Sequence, residues 1–238
     1  MIIACIYLAF TACKKSTELT EIAKNQNIAN KKAVIAKLRA GSSIKIACEG
    51  TSLTYGEDIQ GLDTVAPSLP AGPTRAKYQY PASMLKGLNN PNISLSLRGY
   101  PGDRTTEAIE RWKDSTTADI CIIEYGTNDA YNFVGYASGI VTVKVFKTQL
   151  KTLIERRIHQ GAWVIICLPP SLENKSKIIN AYRSTVVLVA LEYSLNVFDV
   201  NESIRSIPAP YSDNVHLNSE GYQKWGIDLS KLVSTVNN

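Results

Sequence analysis

The chain has 238 residues, 45% of them hydrophobic and 20% charged, which is enough apolar material for one sizeable core and too mixed a composition for a disordered or fibrous chain. Its net charge of +5 sits near the start, where Lys14, Lys15, Lys24, Lys31, Lys32, Lys37, Arg39 and Lys45 face only Glu18 and Glu21; the remainder is near neutral, and no basic groove interleaved with aromatics marks a nucleic-acid binder. The cysteines Cys5, Cys13, Cys48, Cys121 and Cys167 show neither metal-ligand spacing nor a disulfide framework, and the last three lie in apolar runs as small buried hydrophobes.

Residues 1–13 are apolar throughout and too few to cross a bilayer. They resemble a bacterial lipoprotein signal, with Phe10-Thr11-Ala12-Cys13 as the lipobox. That resemblance implies export to the cell envelope and membrane anchoring through a lipid on Cys13. Two departures are the absence of Lys or Arg ahead of the apolar run and Phe at the first lipobox position. The other reading is an apolar stretch that stays on the protein and packs against a partner chain. Residues 14–42 read as a basic helical arm. Its helix spans 17–40, with Leu19, Ile22, Ile28, Val34, Ile35 and Leu38 near helical spacing and the lysines on a solvated face. Ala40-Gly41-Ser42-Ser43 closes it, and residues 43–238 form the main domain.

The pattern then alternates. A strand over 44–48 runs into a turn at Ser52. A long loop, 57–80, carries Gly61, Pro67, Pro70, Gly72 and Pro73. A helix over 81–88 precedes a strand over 93–97, and the segment Arg98–Gly102 leads to a helix over 105–113. A strand over 119–125 meets Gly126-Thr127-Asn128-Asp129. A helix over 141–159 ends with His159, a cation near the negative end of the dipole. A strand over 163–168 stops at Pro169-Pro170, a helix covers 175–193, and a strand covers 196–200. A loop then carries the chain to His216, and a last helix spans 219–233. Strands alternating with helices predict an α/β fold, a five-stranded parallel sheet covered on both faces. In such sheets ligands bind beyond the carboxyl ends of the strands, which is where Ser52, Gly102 and Asn128 fall.

A serine hydroxyl becomes a nucleophile when a base takes its proton and an acceptor orients that base. Ser52 is placed to attack a carbonyl. His216 is placed to accept its proton and return it to the leaving group. Asp213, three residues before the histidine, is placed to hold the imidazole tautomer. A turn aspartate bonded to its own backbone is the alternative for Asp213, and a helix cap is the alternative for Ser52.

These residues fall in four separated blocks that resemble the SGNH, or GDSL-type, hydrolases: Gly50-Thr51-Ser52-Leu53-Thr54, Gly102-Asp103-Arg104-Thr105, Gly126-Thr127-Asn128-Asp129 and Asp213-Asn214-Val215-His216. The resemblance covers about residues 43–235. It implies a three-layer flavodoxin-like sandwich and ester hydrolysis through an acyl-enzyme without metal or organic cofactor. It also implies an oxyanion hole made by the backbone N–H groups of Ser52 and Gly102 and the Asn128 amide, each donor worth about 3 kcal/mol of barrier. Gly102 is the residue type for a backbone that turns its N–H to a ligand. Asp129 reads as a scaffold hydrogen-bonder. Thr51 stands where the family usually has Asp and supplies no charge. The first block lacks the closing glycine of a Gly-x-Ser-x-Gly elbow, which disfavours a lipase-type α/β-hydrolase.

For the substrate, Tyr55, Tyr78, Tyr80 and Tyr100 are candidate platforms for sugar rings, or else pack the loop. Asp58, Gln60, Asp63, Thr74, Arg75 and Lys77 make the 57–80 loop a polar wall. The expectation is a short acyl group, above all acetyl, on carbohydrate. The resemblance implies the same, since such activity is common in family members of bacterial envelopes and phage tails. A lysophospholipase, a thioesterase and a non-catalytic carbohydrate-binding module are the rivals.

Overall fold

A computed structural model describes the backbone of residues 2–61, 63–70, 72–172 and 176–235, and the side chains of residues 17–61, 63–70, 72–172 and 177–234. The expected lipidation site, Cys13, lies outside the described side chains. No helix among the described residues is long and apolar enough to cross a membrane.

Valine-, isoleucine- and cysteine-rich runs form the strands. The elements in chain order are α1 (Ile2–Arg39), β1 (Ile44–Gly50), α2 (Ser52–Tyr55), β2 (Thr64–Val65), β3 (Arg75–Ala76), α3 (Tyr80–Leu88), β4 (Ile93–Gly99), α4 (Thr105–Arg111), β5 (Ile120–Glu124), α5 (Thr127–Tyr131), α6 (Val143–His159), β6 (Trp163–Leu168), α7 (Ser176–Tyr193), β7 (Asn196–Asp199), α8 (Val200–Ile204) and α9 (Ser219–Thr235). Five strands pair in the order β4-β1-β5-β6-β7, and every pairing is parallel. This is the flavodoxin-like order, with its topological switch beside β1. β2 and β3 form a small antiparallel ribbon inside the long loop.

Alternation along the strands divides the core in two. Ala47, Cys121, Ile123, Val164 and Ile166 point to one face, against Phe146, Leu150 and Ile154 of α6 and Tyr182, Val186 and Val189 of α7. Ile46, Cys48, Ile120, Ile122, Trp163 and Ile165 point to the other, against Tyr80 and Met84 of α3 and Trp225 and Leu229 of α9. The expected three-layer sandwich is therefore present. Side chains buried on both sides explain the nearly unbroken apolar strands. Cys48, Cys121 and Cys167 are buried free thiols, as read from their apolar runs.

Two expectations change. The arm helix is longer than the 17–40 span, and its buried face is Ala23, Asn27, Asn30 and Val34, while Leu19 and Ile22 are exposed. Asn30 Nδ2 donates to the carbonyls of Ile158 and Ala162 at 2.9 and 2.8 Å. Asn27 Oδ1 accepts from the N–H of Val164 at 3.0 Å. These amides bond to backbone groups at the end of α6 and the start of β6, on the amino-end rim of the sheet, and that pairing overrides the apolar series. The short helices α2, α5 and α8 also escape the sequence pattern, being shorter than a helical period can reveal.

Candidate active site

The turn at Ser52 follows from tight packing after β1. At Gly50 a Cβ would lie 2.1 Å from Thr54 Oγ1 and 2.7 Å from the Glu124 carbonyl oxygen, so no side chain fits and the chain can turn at once. Thr51 caps α2 in an extended conformation and accepts from the Leu53 N–H. Ser52 is the first residue of that helix, where the backbone N–H has no intrahelical partner. Its side chain is brought to the carboxyl-end rim of the sheet.

There Ser52 Oγ lies 3.0 Å from His216 Nε2, and His216 Nδ1 lies 2.8 Å from Asp213 Oδ2. The other carboxylate oxygen, Asp213 Oδ1, accepts from the N–H groups of Val215 and His216, both at 2.6 Å. Asp213 thus closes its own turn and also touches the imidazole. Burial opposes ionisation of Asp213. The hydrogen bonds from the His216 ring and backbone, and the charge of that ring, outweigh burial and hold the carboxyl at about 2.

Gly102 and Asn128 meet Ser52 and His216 around one pocket of about 330 Å³. Gly102 has φ +83, the left-handed region that favours glycine, and a Cβ there would lie 2.6 Å from Val134 Cγ2. Asn128 Nδ2 donates to the Asp103 carbonyl at 3.0 Å. That bond fixes which end of the amide is nitrogen and uses one of its two hydrogens. Asp103 is in turn gripped by Arg111 at 2.7 and 3.0 Å, and Arg111 lies over the Tyr100 ring at 3.4 Å. Asp129 is fully buried and accepts from the Thr105 N–H at 2.9 Å, a scaffold contact as expected. Burial raises its carboxyl to about 6 despite the Thr105 bonds.

A carboxylate that the sequence did not announce lies beneath the Ser52 turn. Glu124, the last residue of β5, is fully buried and accepts from Thr51 Oγ1 at 2.8 Å and from the Thr51 N–H at 3.4 Å. Its Oε1 has no hydrogen-bond partner among the described residues. Burial pushes its pKa from 4.5 to about 7 against the lowering effect of the Thr51 bonds. An acid whose folded pKa lies above its unfolded value favours folding while protonated. That contribution is whole below 4.5 and disappears as pH climbs through about 7. Urea unfolding at pH 4.5 and pH 8 is expected to show wild type losing on the order of 3 kcal/mol relative to Glu124→Gln across that window; parallel pH profiles for the two proteins refute it.

The pocket wall differs from the expected one. It is lined by Ser52, Glu57, Gly102, Asn128, Phe133, Val134, Val215 and His216. Among the described residues of the 57–80 loop only Glu57 takes part; Asp58, Gln60 and Asp63 line a separate hollow with Tyr211 and Asn218. Tyr55 and Tyr80 are buried. Tyr80 stacks on Trp225 at 4.0 Å, and Tyr55 OH donates to the Pro73 carbonyl at 3.0 Å, so neither is a sugar platform. Phe133 and Val134, both exposed beside the pocket, were missed. Their signal is two adjacent apolar residues inside a Gly-containing loop directly after the Asn128 block. No cluster of His, Cys, Asp and Glu able to hold a metal occurs among the described residues.

Fold and rim together define a carboxylic ester hydrolase. The family profile of the GDSL-like Lipase/Acylhydrolase family matches residues 48–224, and the chain belongs to that family. Among solved structures it resembles an acetylxylan esterase from Geobacillus stearothermophilus, at 19% identity over 81% of this chain and 94% of that one, with a TM-score of 0.63. It also resembles the native aryl esterase of M. smegmatis, at 15% identity over 82% of this chain and 100% of that one, with a TM-score of 0.61. A comparison with curated protein sequences finds no match.

Proposed function

We propose that the chain is a serine esterase for short acyl groups, acetyl foremost, carried on a polar alcohol such as a carbohydrate. The observation that carries this reading is the line Ser52–His216–Asp213, with contacts of 3.0 and 2.8 Å, beside Gly102 and Asn128. Ser52 attacks the ester carbonyl while His216 takes its proton. The oxyanion is met by the N–H groups of Ser52 and Gly102 and the free hydrogen of the Asn128 amide. His216 then protonates the leaving alcohol, and water repeats the sequence on the acyl-enzyme.

The alcohol departs next to the base that protonates it, hence on the side of His216 and Glu57. The acyl chain extends the other way, toward Gly102 and Val134. Val134 crowds Gly102, which limits chain length, and the carboxyl of Glu57 suits a hydroxyl-bearing alcohol. The likeness to an acetylxylan esterase supports the same class. The test is a p-nitrophenyl ester series from acetate to palmitate, together with acetylated xylooligosaccharide, a lysophospholipid and an acyl thioester. Acetate and the acetylated sugar are expected to be the best substrates; preference for palmitate or the lysophospholipid overturns the reading. Val134→Ala is expected to raise the hexanoate-to-acetate rate ratio roughly tenfold, the low end of what pocket methylenes are worth.

A further inference from the structure

Glu57 takes no part in the line Ser52–His216–Asp213, yet it is built into the site. Its N–H donates to the Ser52 carbonyl at 2.9 Å, and its own carbonyl accepts from Tyr222 OH at 3.1 Å. These bonds fix the backbone on both sides of the residue. The side chain is largely buried, and Oε2 lies 3.7 Å from His216 Nε2. Nδ1 of that ring is already engaged by Asp213. Glu57 therefore faces the nitrogen that exchanges protons, on the same wall as the alcohol side of the pocket.

A separation of 3.7 Å is too long for a direct hydrogen bond and short enough for one oxygen atom to touch both groups. We propose that Glu57 selects water as the second nucleophile. Water has two hydrogens. As its oxygen bonds to the carbonyl carbon of acyl-Ser52, one hydrogen passes to His216 Nε2 and the other stays on the oxygen, donated to the Glu57 carboxylate. The carbon–Oγ bond then breaks, the Nε2 proton goes to Ser52 Oγ, and the acid leaves with the second hydrogen still on its oxygen. A monohydric alcohol has one hydroxyl hydrogen. It serves the base and leaves the carboxylate unpaired in a largely buried place, which is costly. Burial raises the pKa of Glu57 and the charge on His216 opposes that, so the carboxylate form is strengthened as the imidazole takes its proton.

This inference rests on the acyl-enzyme reading, and the experiment separates the two. The full chain, with Glu57→Leu and Glu57→Gln variants, is given p-nitrophenyl acetate at a fixed methanol concentration. Released p-nitrophenol counts acyl-enzyme formed, and proton NMR counts acetate and methyl acetate. The methyl acetate to acetate ratio is expected to rise about tenfold in Glu57→Leu, the size of losing a hydrogen bond to a charged group. Glu57→Gln, whose amide oxygen accepts without charge, is expected to fall between. A general loss of active protein does not move this ratio, and the glutamine variant decides the matter if the leucine variant fails to fold. Equal ratios in all three proteins overturn the role of Glu57 alone. No p-nitrophenol from wild type beyond that from Ser52→Ala overturns the acyl-enzyme and Glu57 together.

Discussion

Ser52→Ala is expected to lower p-nitrophenyl acetate hydrolysis by about 10⁶-fold, leaving the small rate that an oxyanion hole supports without a nucleophile. The substitution removes one oxygen at the pocket rim, and the bond it breaks is the 3.0 Å contact with His216 Nε2. The backbone bonds of the turn stay, because Tyr55, Gly56 and Glu57 donate to the carbonyls of Thr51 and Ser52 and not to the hydroxyl. An unchanged circular dichroism spectrum with lost activity is the supporting pair of results. Equal hydrolysis by variant and wild type removes Ser52 from the chemistry.

Asp213→Asn is expected to cost about 10⁴-fold in kcat, with the loop intact. The amide oxygen can still accept from the N–H groups of Val215 and His216, so the turn persists. What changes is the group facing His216 Nδ1, from an acceptor 2.8 Å away to an amide donor. The imidazole must then carry its hydrogen on Nε2, and a protonated Nε2 cannot take the proton of Ser52. Acid unfolding gives a second readout. Asp213 has a folded pKa of about 2 against its ordinary value of 3.8. Its contribution to stability is present above 3.8 and is lost as pH falls through about 2. The variant lacks that acid limb. An active Asp213→Asn enzyme, or one with the same acid limb as wild type, refutes the assignment.

Much of the architecture was legible because burial on both faces leaves a plain trace. The runs at Ile44, Ile120 and Trp163 are apolar nearly without interruption, and a strand covered on both sides requires that. Ser52, Asp213 and His216 were legible as candidates because residue types able to act as nucleophile, orienting acid and base are few, and this chain has only two histidines. Other parts left no local trace. Asn27 and Asn30 lie outside the apolar series of the arm, and only partners more than a hundred residues away, the Val164 N–H for Asn27 and the carbonyls of Ile158 and Ala162 for Asn30, explain their burial. Glu57 reads as an ordinary loop acid until His216 is brought beside it. Tyr55 and Tyr80 read as aromatics near a crevice, and the packing of Trp225 against Tyr80 turns them inward. In each case the deciding partner is distant in the chain, and periodicity reports only near neighbours.

The pairing of Thr51 with Glu124 has a consequence for how this chain can diverge. The acidic group beside this turn belongs to a strand, and the turn offers it a neutral hydroxyl. Restoring Asp at position 51 on its own would set two carboxyls against each other in a dry place, and one of them would have to keep its proton. A change to Asp at position 51 is therefore tolerated best alongside a neutral residue at position 124.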